Sequence, residues 1–519
     1  MSAAARGRAL GLSLLNLSGK TLAIAKTMLV AALFGAGAQL DAFWVAYTLP
    51  LLLPSLLTTV ITVAFVPRFM ASLEGRDGPA AWAGANTFFT LVLLAGVLAA
   101  GLMWWQAGWL VARLAPGLSP AVHAEAVGLT RLLMPCIPLL TLSSVLSAVS
   151  HARERFLLPA LEGLVTNVAV IMAALLLARS LGVRALVLGV LAGFVVQALL
   201  LCWGSRQELR ESLRPAFAFR HPDFHAPLFH LLPLFVGSAG SILAGLVNQY
   251  FLSKSGEGAI SAMAYASMFA FLPVEVFAQA VITTSYPAFG RHFARGENEG
   301  AARAFGEGLR FLLLLTLPAA VLLMLFAEPL VALLLERGAF TAEQTATTAA
   351  ITQVLALGLV FRAAAFFHYR VLHAAVRPWL QVGIGLAGLA THLLLCQLWA
   401  DAHGARGVAW ATTLSMLQSA LLSLLAALWI LRWRWPRGLL PELGTLAIVA
   451  AGIAAAGGFL RPLAWPAAGA GRPLHAALAL ALAGLSALMG LALAHALRQP
   501  DLAWLRQRLW GTLRPGSPP

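Results

Sequence analysis

Apolar runs long enough to cross a lipid bilayer fill nearly the whole chain, and they restrict its fold more than any other feature. One of them reads LVLLAGVLAAGLMWWQAGWLVARL, residues 91–114. A spanning α-helix needs about 20 such residues, because the hydrocarbon core of a bilayer is about 30 Å thick. With 60% hydrophobic and 11% charged residues, a soluble fold would expose too much apolar surface to water. The sequence therefore predicts an all-α polytopic membrane protein.

Prolines and charged clusters divide the chain into fourteen predicted spanning helices. These cover residues 9–35, 41–66, 82–112, 121–149, 157–180, 184–204, 226–253, 259–286, 304–335, 342–371, 378–400, 404–431, 441–460 and 474–497. Eight Lys and Arg residues fall on one side of the membrane and four within spans, which leaves 23 of the 35 on the other side. Because positive residues concentrate in cytoplasmic loops, we predict that both termini are cytoplasmic.

An internal repeat relates the first six predicted helices to the next six. Three pairs of segments match in the same order at offsets of 220 to 222 residues: Pro67 and Phe69 with Pro287 and Phe289, HARER (151–155) with HAAVR (373–377), and Gly182 and Arg184 with Gly404 and Arg406. Six spans is an even number, so the two copies form a parallel repeat of the kind found in transporters. The predicted organisation is an N-lobe (1–205), a cytoplasmic linker (206–225), a C-lobe (226–433), and two extra helices with a cytoplasmic tail (434–519).

Two lysines, Lys20 and Lys26, interrupt the first apolar run, LSGKTLAIAKTMLVAALFGAG (17–37). A charged side chain at the centre of a spanning helix costs about 2.5–3.5 kcal/mol. Asn16 and Thr27 share one helical face with Lys20, and such a polar stripe favours a wet cavity over lipid. The alternatives are a structural ion pair or snorkelling to the interface.

Other polar residues at predicted membrane depth complete the candidate site. The candidate substrate-binding residues are Lys20, Lys26, Asn16, Asp41 and Arg362. Asp41 opens the second predicted helix, where it is either an N-cap or a gate partner of a lysine.

Glu162, Glu275 and Arg131 are candidates for coupling or gating. The alternatives are interhelical hydrogen bonding for the two acids and snorkelling for Arg131. Prolines inside the second and eighth predicted helices mark either bending points for alternating access or static kinks; they are Pro50, Pro54 and Pro273.

The sequence holds no motif that predicts catalysis, a metal site or a cofactor. Walker A, GxSxG and HExxH patterns are absent, and the three cysteines are scattered through apolar runs. The net charge of +15 is explained by loop topology and lipid head groups, so no nucleic-acid partner is expected. The intramembrane side chains are more cationic than anionic, which favours an anionic substrate such as a pyrophosphate joined to a lipid tail.

Five segments carry a family resemblance. They read FGAGAQLDAFWVAYTLP (34–50), VAFVPRF (63–69), ERFLLPALEGLVTNVAVI (154–171), LLERGAFTAEQTATTAAITQVLALGLVFRA (334–363) and GARGVAWATTLSMLQSALL (404–422). As a set they resemble the MurJ/MviN family of lipid II flippases, in the MOP exporter superfamily. The likeness covers about residues 10–435.

The resemblance implies a V-shaped, two-lobed helical fold that translocates an undecaprenyl-pyrophosphate-linked saccharide by alternating access. In that family, cationic residues of the first helix bind the pyrophosphate, and they fall on Lys20 and Lys26. The family usually has arginine at both positions. The acidic residue of the family's DAF motif falls on Asp41, and the last two helices, here about 441–497, form a groove for the lipid tail.

We therefore predict a lipid II-like flippase of the bacterial inner membrane that is not an enzyme. The alternatives are a Wzx-like exporter of exopolysaccharide or O-antigen units, and a non-transporting membrane scaffold. The expected partners are the polyprenyl-pyrophosphate-linked glycan, membrane lipids, and the machinery of cell-wall or polysaccharide synthesis.

Overall fold

The computed structural model describes residues 3–60, 70, 78–218, 240, 242–275, 279–434, 436, 439–465 and 472–496. Every regular element in these ranges is a helix, as the sequence predicts. The repeat positions Pro67 and Phe69 lie outside the described residues.

The helices are numbered in chain order. They are α1 (Ala3–Phe34), α2 (Ala38–Val60), α3 (Gly78–Trp105), α4 (Ala107–Leu114), α5 (Pro120–Leu133), α6 (Cys136–Ala152), α7 (Leu157–Ala160), α8 (Glu162–Leu181), α9 (Arg184–Gly204), α10 (Arg206–Glu211), α11 (Ile242–Ser253), α12 (Ala259–Pro273), α13 (Gln279–Ala294), α14 (Asn298–Leu335), α15 (Ala342–Ala374), α16 (Pro378–Ile430), α17 (Leu439–Ala464) and α18 (Arg472–Ala496). The third and fourth predicted helices are each divided in two, at Gln106 and at Met134–Pro135. The proline explains the second break, because it has no N–H to donate and its ring clashes with the preceding turn.

Ten candidate membrane spans lie within the described residues. One of them, Trp379–Ile430, has 52 residues and contains two predicted helices, which meet at a kink at Gly404. The remaining predicted spans correspond to α2 and to two shorter apolar helices, α11 and α12. The helix count is thus consistent with the fourteen predicted spans.

The backbone has the same local geometry at matched positions of the two copies of the internal repeat. Gly182 has φ 58° and ψ −139°, and its repeat counterpart Gly404 has φ 56° and ψ −140°. Only glycine adopts this region without strain. At the HARER and HAAVR segments, Glu154 and Val376 both have φ 56°. The N–H that follows each residue donates to the carbonyl five residues earlier, at 2.8 Å in the first copy and 2.9 Å in the second.

The chain forms two compact units. The first comprises Met1–Ser261 and Arg337–Thr341, and the second comprises Ala262–Glu336 and Ala342–Pro519. The division predicted from the sequence, with lobes at 1–205 and 226–433, stays a prediction.

In the first unit, α8 and α9 form a closely packed hairpin joined by two residues. A Cβ atom on Gly189 would lie 2.7 Å from the Cα of Val170, and one on Gly193 would lie 2.7 Å from the Cα of Thr166. Any side chain at either glycine would therefore separate the two helices. Dispersion between closely packed surfaces is a main source of helix association in lipid, so these glycines determine how near the helices can approach.

In the second unit, aromatic side chains form the core around α15. Phe367 packs edge-to-face on Phe289, with ring centroids 5.8 Å apart, and stacks on Phe305 at 5.7 Å. All three residues are fully buried. Gly308 of α14 lies directly against the Phe367 ring, which lets α14 and α15 approach each other.

Two ion pairs attach helix α17 to α14 in the same unit. Arg310 pairs with Glu442 near one end of the two helices. Arg461 Nη2 lies 3.3 Å from Glu328 Oε2 near the other. The Arg310 and Glu442 side chains are only 14% and 27% exposed, so the pair is partly shielded from water and stronger than a surface pair.

We expect the substitution Glu442→Arg to lower the thermal stability of the detergent-purified protein by about 1–3 kcal/mol, because it leaves Arg310 facing a like charge. The double variant Arg310→Glu with Glu442→Arg should recover most of the loss. A thermal melt monitored by size-exclusion chromatography would measure both. An additive loss in the double variant would show that the ion pair does not hold these helices together.

Candidate functional site

The two intramembrane lysines lie on α1 within the candidate span Leu15–Phe34. At 1.5 Å per residue, Lys20 is about 8 Å from the start of this span and Lys26 about 12 Å from its end. Both side chains are half-buried, and Asn16 is exposed one turn before Lys20. Lys26 makes no hydrogen bond or ion pair with the side chains that the structure describes. A half-buried ammonium group with no counter-ion among these residues is a ready site for an anion.

A hydrogen bond fixes the rotation of α1 against α8. The amide Nδ2 of the buried Asn167 donates to the carbonyl of Gly19 at 3.1 Å. On a helical wheel, Lys26 falls about 20° from Gly19, whereas Lys20 falls about 100° away. Lys26 therefore lies on the face of α1 that is turned toward α8, and Lys20 lies on a neighbouring face.

Asp41 is the most enclosed acid of the candidate site, with 2% of its surface exposed. Its Oδ2 accepts from the Gly258 N–H at 2.7 Å, and its Oδ1 accepts from the Ser261 N–H at 2.8 Å and the Ser261 hydroxyl at 2.6 Å. We call these three bonds the Asp41 clasp. All of its members belong to the first unit.

The N-cap interpretation of Asp41 is wrong. Helix α2 begins at Ala38, so Asp41 already lies within its first turn, and its carboxylate is used by residues more than 200 positions away. Gly258 has φ +80°, and a Cβ there would lie 2.3 Å from the Ala36 carbonyl oxygen. Glycine is therefore required for the chain to come close enough to form the clasp.

Arg362 occupies an aromatic environment in the second unit. Its guanidinium carbon lies 4.5 Å from the centroid of the Phe271 ring and 5.3 Å from that of Phe366. The exposed Glu275 carboxylate is within electrostatic range of this guanidinium. Two aromatic faces stabilise a desolvated cation while leaving its N–H groups able to donate.

The other two candidates for coupling or gating lie in the first unit. Arg131 is exposed on α5, and its guanidinium lies over the Trp104 ring at 5.4 Å. Trp104 is itself 51% exposed, and an exposed Arg–Trp pair is typical of a membrane interface, which favours the snorkelling alternative. Glu162 is exposed in the first turn of α8, within electrostatic range of the half-buried Tyr47.

The sequence interpretation missed the partners of Asp41, although the repeat contains a signal for them. Ser261 lies 220 positions after Asp41, close to the offset of the repeat, and α12 is the counterpart of α2. The clasp therefore joins equivalent first turns of the two copies. Within the described ranges, no group of three or more metal-ligating side chains comes together.

Comparisons with known proteins agree on one family. A family model described as "Lipid II flippase MurJ" matches residues 30–460, a range that includes Asp41 and Arg362 and begins shortly after Lys26. The lipid II flippase MurJ of Burkholderia cenocepacia is 31% identical over 67% of this chain and 70% of its own length. A probable lipid II flippase MurJ of Rhizobium meliloti is 28% identical over 83% and 82%.

Solved structures show the same fold. A structure of lipid II flippase MurJ in an inward closed conformation superposes with a TM-score of 0.81 at 19% identity, over 95% of this chain and 100% of that one. A multidrug-resistance MATE transporter of the MOP superfamily, in an inward-facing conformation, superposes with a TM-score of 0.67 at 16% identity, over 80% and 95%.

Proposed function

Because this chain belongs to the lipid II flippase MurJ family, and is thus a multi-pass protein of the bacterial inner membrane, we propose that it moves a lipid II-like precursor across that membrane. The precursor is an undecaprenyl-pyrophosphate-linked saccharide. The chain carries it from the inner to the outer leaflet by alternating access, and both termini stay in the cytoplasm. The chain supplies positioning and charge, and no covalent chemistry.

The observation that carries this proposal is the Lys26 ammonium group, half-buried in an apolar span without a counter-ion among the described residues. An unpaired cation at this depth costs about 2.5–3.5 kcal/mol, and a pyrophosphate removes that cost by pairing with it. Lys20 on the neighbouring face adds a second positive charge. Ammonium groups contact phosphate as point charges, so the site needs no rigid geometry to accept a substrate that moves.

The Asp41 clasp supports a gating role for Asp41. It lies just beyond the C-terminal end of α1. Its three hydrogen bonds tie the first turn of α2 to residues 258–261. Alternating access requires one end of the path to close while the other is open, and a buried carboxylate with three donors stabilises a closed end. Pro50 and Pro54 inside α2 provide bending points for the helix that carries Asp41.

In this proposal the chain has no catalytic role, so separate enzymes make and consume the polyprenyl-pyrophosphate precursor. We propose that its working partners are the cell-wall synthesis proteins that deliver the precursor on one face and use it on the other.

Expression of this chain is expected to restore growth of a bacterium depleted of its own lipid II flippase. The Lys26→Ala variant, present at equal membrane abundance, should restore it poorly. Failure of the wild-type chain despite normal insertion would contradict the lipid II assignment. Rescue of a strain that lacks an O-antigen exporter would then identify a Wzx-like transporter. Failure to rescue either strain would indicate a scaffold.

A further inference from the structure

An apolar pocket of about 420 Å³ lies in the first unit, and neither the two lysines nor the Asp41 clasp are part of its lining. Its lining includes Leu93, Leu94 and Val97 of α3 and Leu142, Val145 and Leu146 of α6. Leu94 is 44% exposed and Val97 is 55% exposed, so the pocket opens sideways along a spanning helix. A ligand can therefore enter from the lipid phase without passing through water.

One wall of the pocket is the segment 212–218, which follows α10 and is hydrogen-bonded to α3. Asn86 Nδ2 donates to the Ser212 carbonyl at 2.8 Å. The Ala216 N–H donates to the Thr90 hydroxyl at 3.1 Å, and the Ala218 N–H to the Thr87 hydroxyl at 3.0 Å. Three bonds to two adjacent turns of one helix hold this wall in place, so the pocket is a built cavity between fixed elements.

The end of the pocket next to this wall is polar. Asn86 is only 7% exposed, and its Oδ1 is buried without a hydrogen-bond partner among the described residues. An unsatisfied buried acceptor costs about 1–3 kcal/mol, so a ligand that donates a hydrogen bond here is favoured. Arg214 lines the same pocket and is exposed, so the pocket also carries a positive charge.

The pocket has the length and polarity of one lipid chain with its head group. Asn86 and Val97 are eleven residues apart on α3, which corresponds to about 16 Å along the helix. Asn86 lies close to Gly84, where the apolar span begins, so the polar end is at interface depth. At the apolar end, α3 and α6 come together at Gly96, where a Cβ would lie 2.9 Å from the Thr141 hydroxyl.

We propose that this pocket binds an anionic glycerophospholipid of the surrounding leaflet, as a site distinct from the transport path. One acyl chain lies along α3 and α6, the phosphate pairs with Arg214, and a head-group hydroxyl donates to Asn86 Oδ1. A neutral or zwitterionic lipid fits the apolar part but gains less from Arg214, because an isolated basic residue near a membrane surface selects for anionic head groups. The proposal is independent of what the chain transports.

The test uses the full-length protein in liposomes that contain a photoreactive phosphatidylglycerol with a diazirine on one acyl chain. After illumination, mass spectrometry of peptides locates the label. We expect label on residues 89–97 and 142–146, at least about fivefold less in Arg214→Glu, and almost none in Leu94→Trp, which fills the pocket. Arg210→Glu and Leu98→Trp change an exposed arginine and an exposed leucine outside the lining and should keep the labelling of the wild type.

Three results would overturn the proposal. The first is unchanged labelling in both Leu94→Trp and a second filling variant, Val97→Trp. The second is equal labelling by a phosphatidylcholine probe, which would mean that Arg214 selects nothing. The third is displacement of the probe by a polyprenyl phosphate at lower concentration than unlabelled phosphatidylglycerol, which would assign the pocket to the carrier lipid.

Discussion

Replacing Lys26 with alanine is expected to reduce translocation of a pyrophosphate-linked lipid by about ten- to hundredfold, because one charge-assisted hydrogen bond contributes about 1.5–3 kcal/mol. Lys20→Ala should have an effect in the same direction, and the double variant should be inactive. Lys26→Arg keeps the charge and should retain most of the rate. The measurement is the appearance of a fluorescent lipid-linked substrate in the outer leaflet of proteoliposomes.

The chain offers a matched control for this experiment in its third lysine. Lys254 is exposed after α11, where its Nζ contacts the Tyr250 hydroxyl at 2.9 Å. Lys254→Ala removes the same functional group outside the candidate site and should leave the rate unchanged. Equal activity of Lys26→Ala and Lys254→Ala would remove the lysines from the transport mechanism and favour the scaffold interpretation.

Replacing Asp41 with asparagine is expected to open the end of the path that we propose the clasp to close. Asparagine has the same shape, but its amide NH₂ group faces a donor, so at least one of the three hydrogen bonds is lost together with the negative charge. At about 1.5–3 kcal/mol for a bond to a charged acceptor, the population of the closed form should fall about tenfold or more. Transport should slow accordingly, because the cycle needs that state.

Hydrogen exchange gives a direct measure of the clasp, independent of transport. In the wild-type protein the Gly258 and Ser261 amides donate to Asp41, so a peptide covering 255–264 should exchange slowly. In Asp41→Asn the exchange of this peptide should accelerate. In Ser261→Ala, which loses only the hydroxyl bond, it should accelerate by a smaller factor. Asp401→Asn, at an exposed position of α16, serves as the control. Unchanged exchange in Asp41→Asn would show that the clasp contributes little to closure.

Sequence reasoning predicts the spans well because the bilayer permits few alternatives. Predicted helix 184–204 coincides with α9 (Arg184–Gly204), and the predicted boundary before residue 404 coincides with the backbone turn at Gly404. Hydrophobicity alone does not locate the division of the third predicted helix at Gln106, because the apolar character continues on both sides of this residue. Breaks of this kind depend on tertiary packing, which overrides local propensity.

The candidate site is predictable residue by residue but not as an arrangement. Lys20 and Lys26 stand out because a charge within a span is costly. The partners of Asp41 do not stand out, since a glycine amide and a serine carry no such signal. Arg131 looks buried in a linear hydrophobicity profile, but in three dimensions it stacks on Trp104 at the surface of the first unit. Helix boundaries also matter. Helix α2 begins only three residues earlier than predicted, and this places Asp41 inside the first turn, where it is no longer an N-cap.

The two-residue connection at Gly182, and the backbone kink with the same dihedral angles at Gly404, have a consequence for membrane insertion during synthesis. Helix α8 ends at Leu181 and α9 begins at Arg184. Because the connection is so short, the first helix cannot insert into the bilayer while the second is still in water. We expect each pair to enter the bilayer together as a helical hairpin. With both termini in the cytoplasm, as proposed, Arg184, and Arg406 in the second copy, would cross the membrane at the tip of a preformed hairpin. The two glycines that shape these tips would then control biogenesis as well as the folded structure.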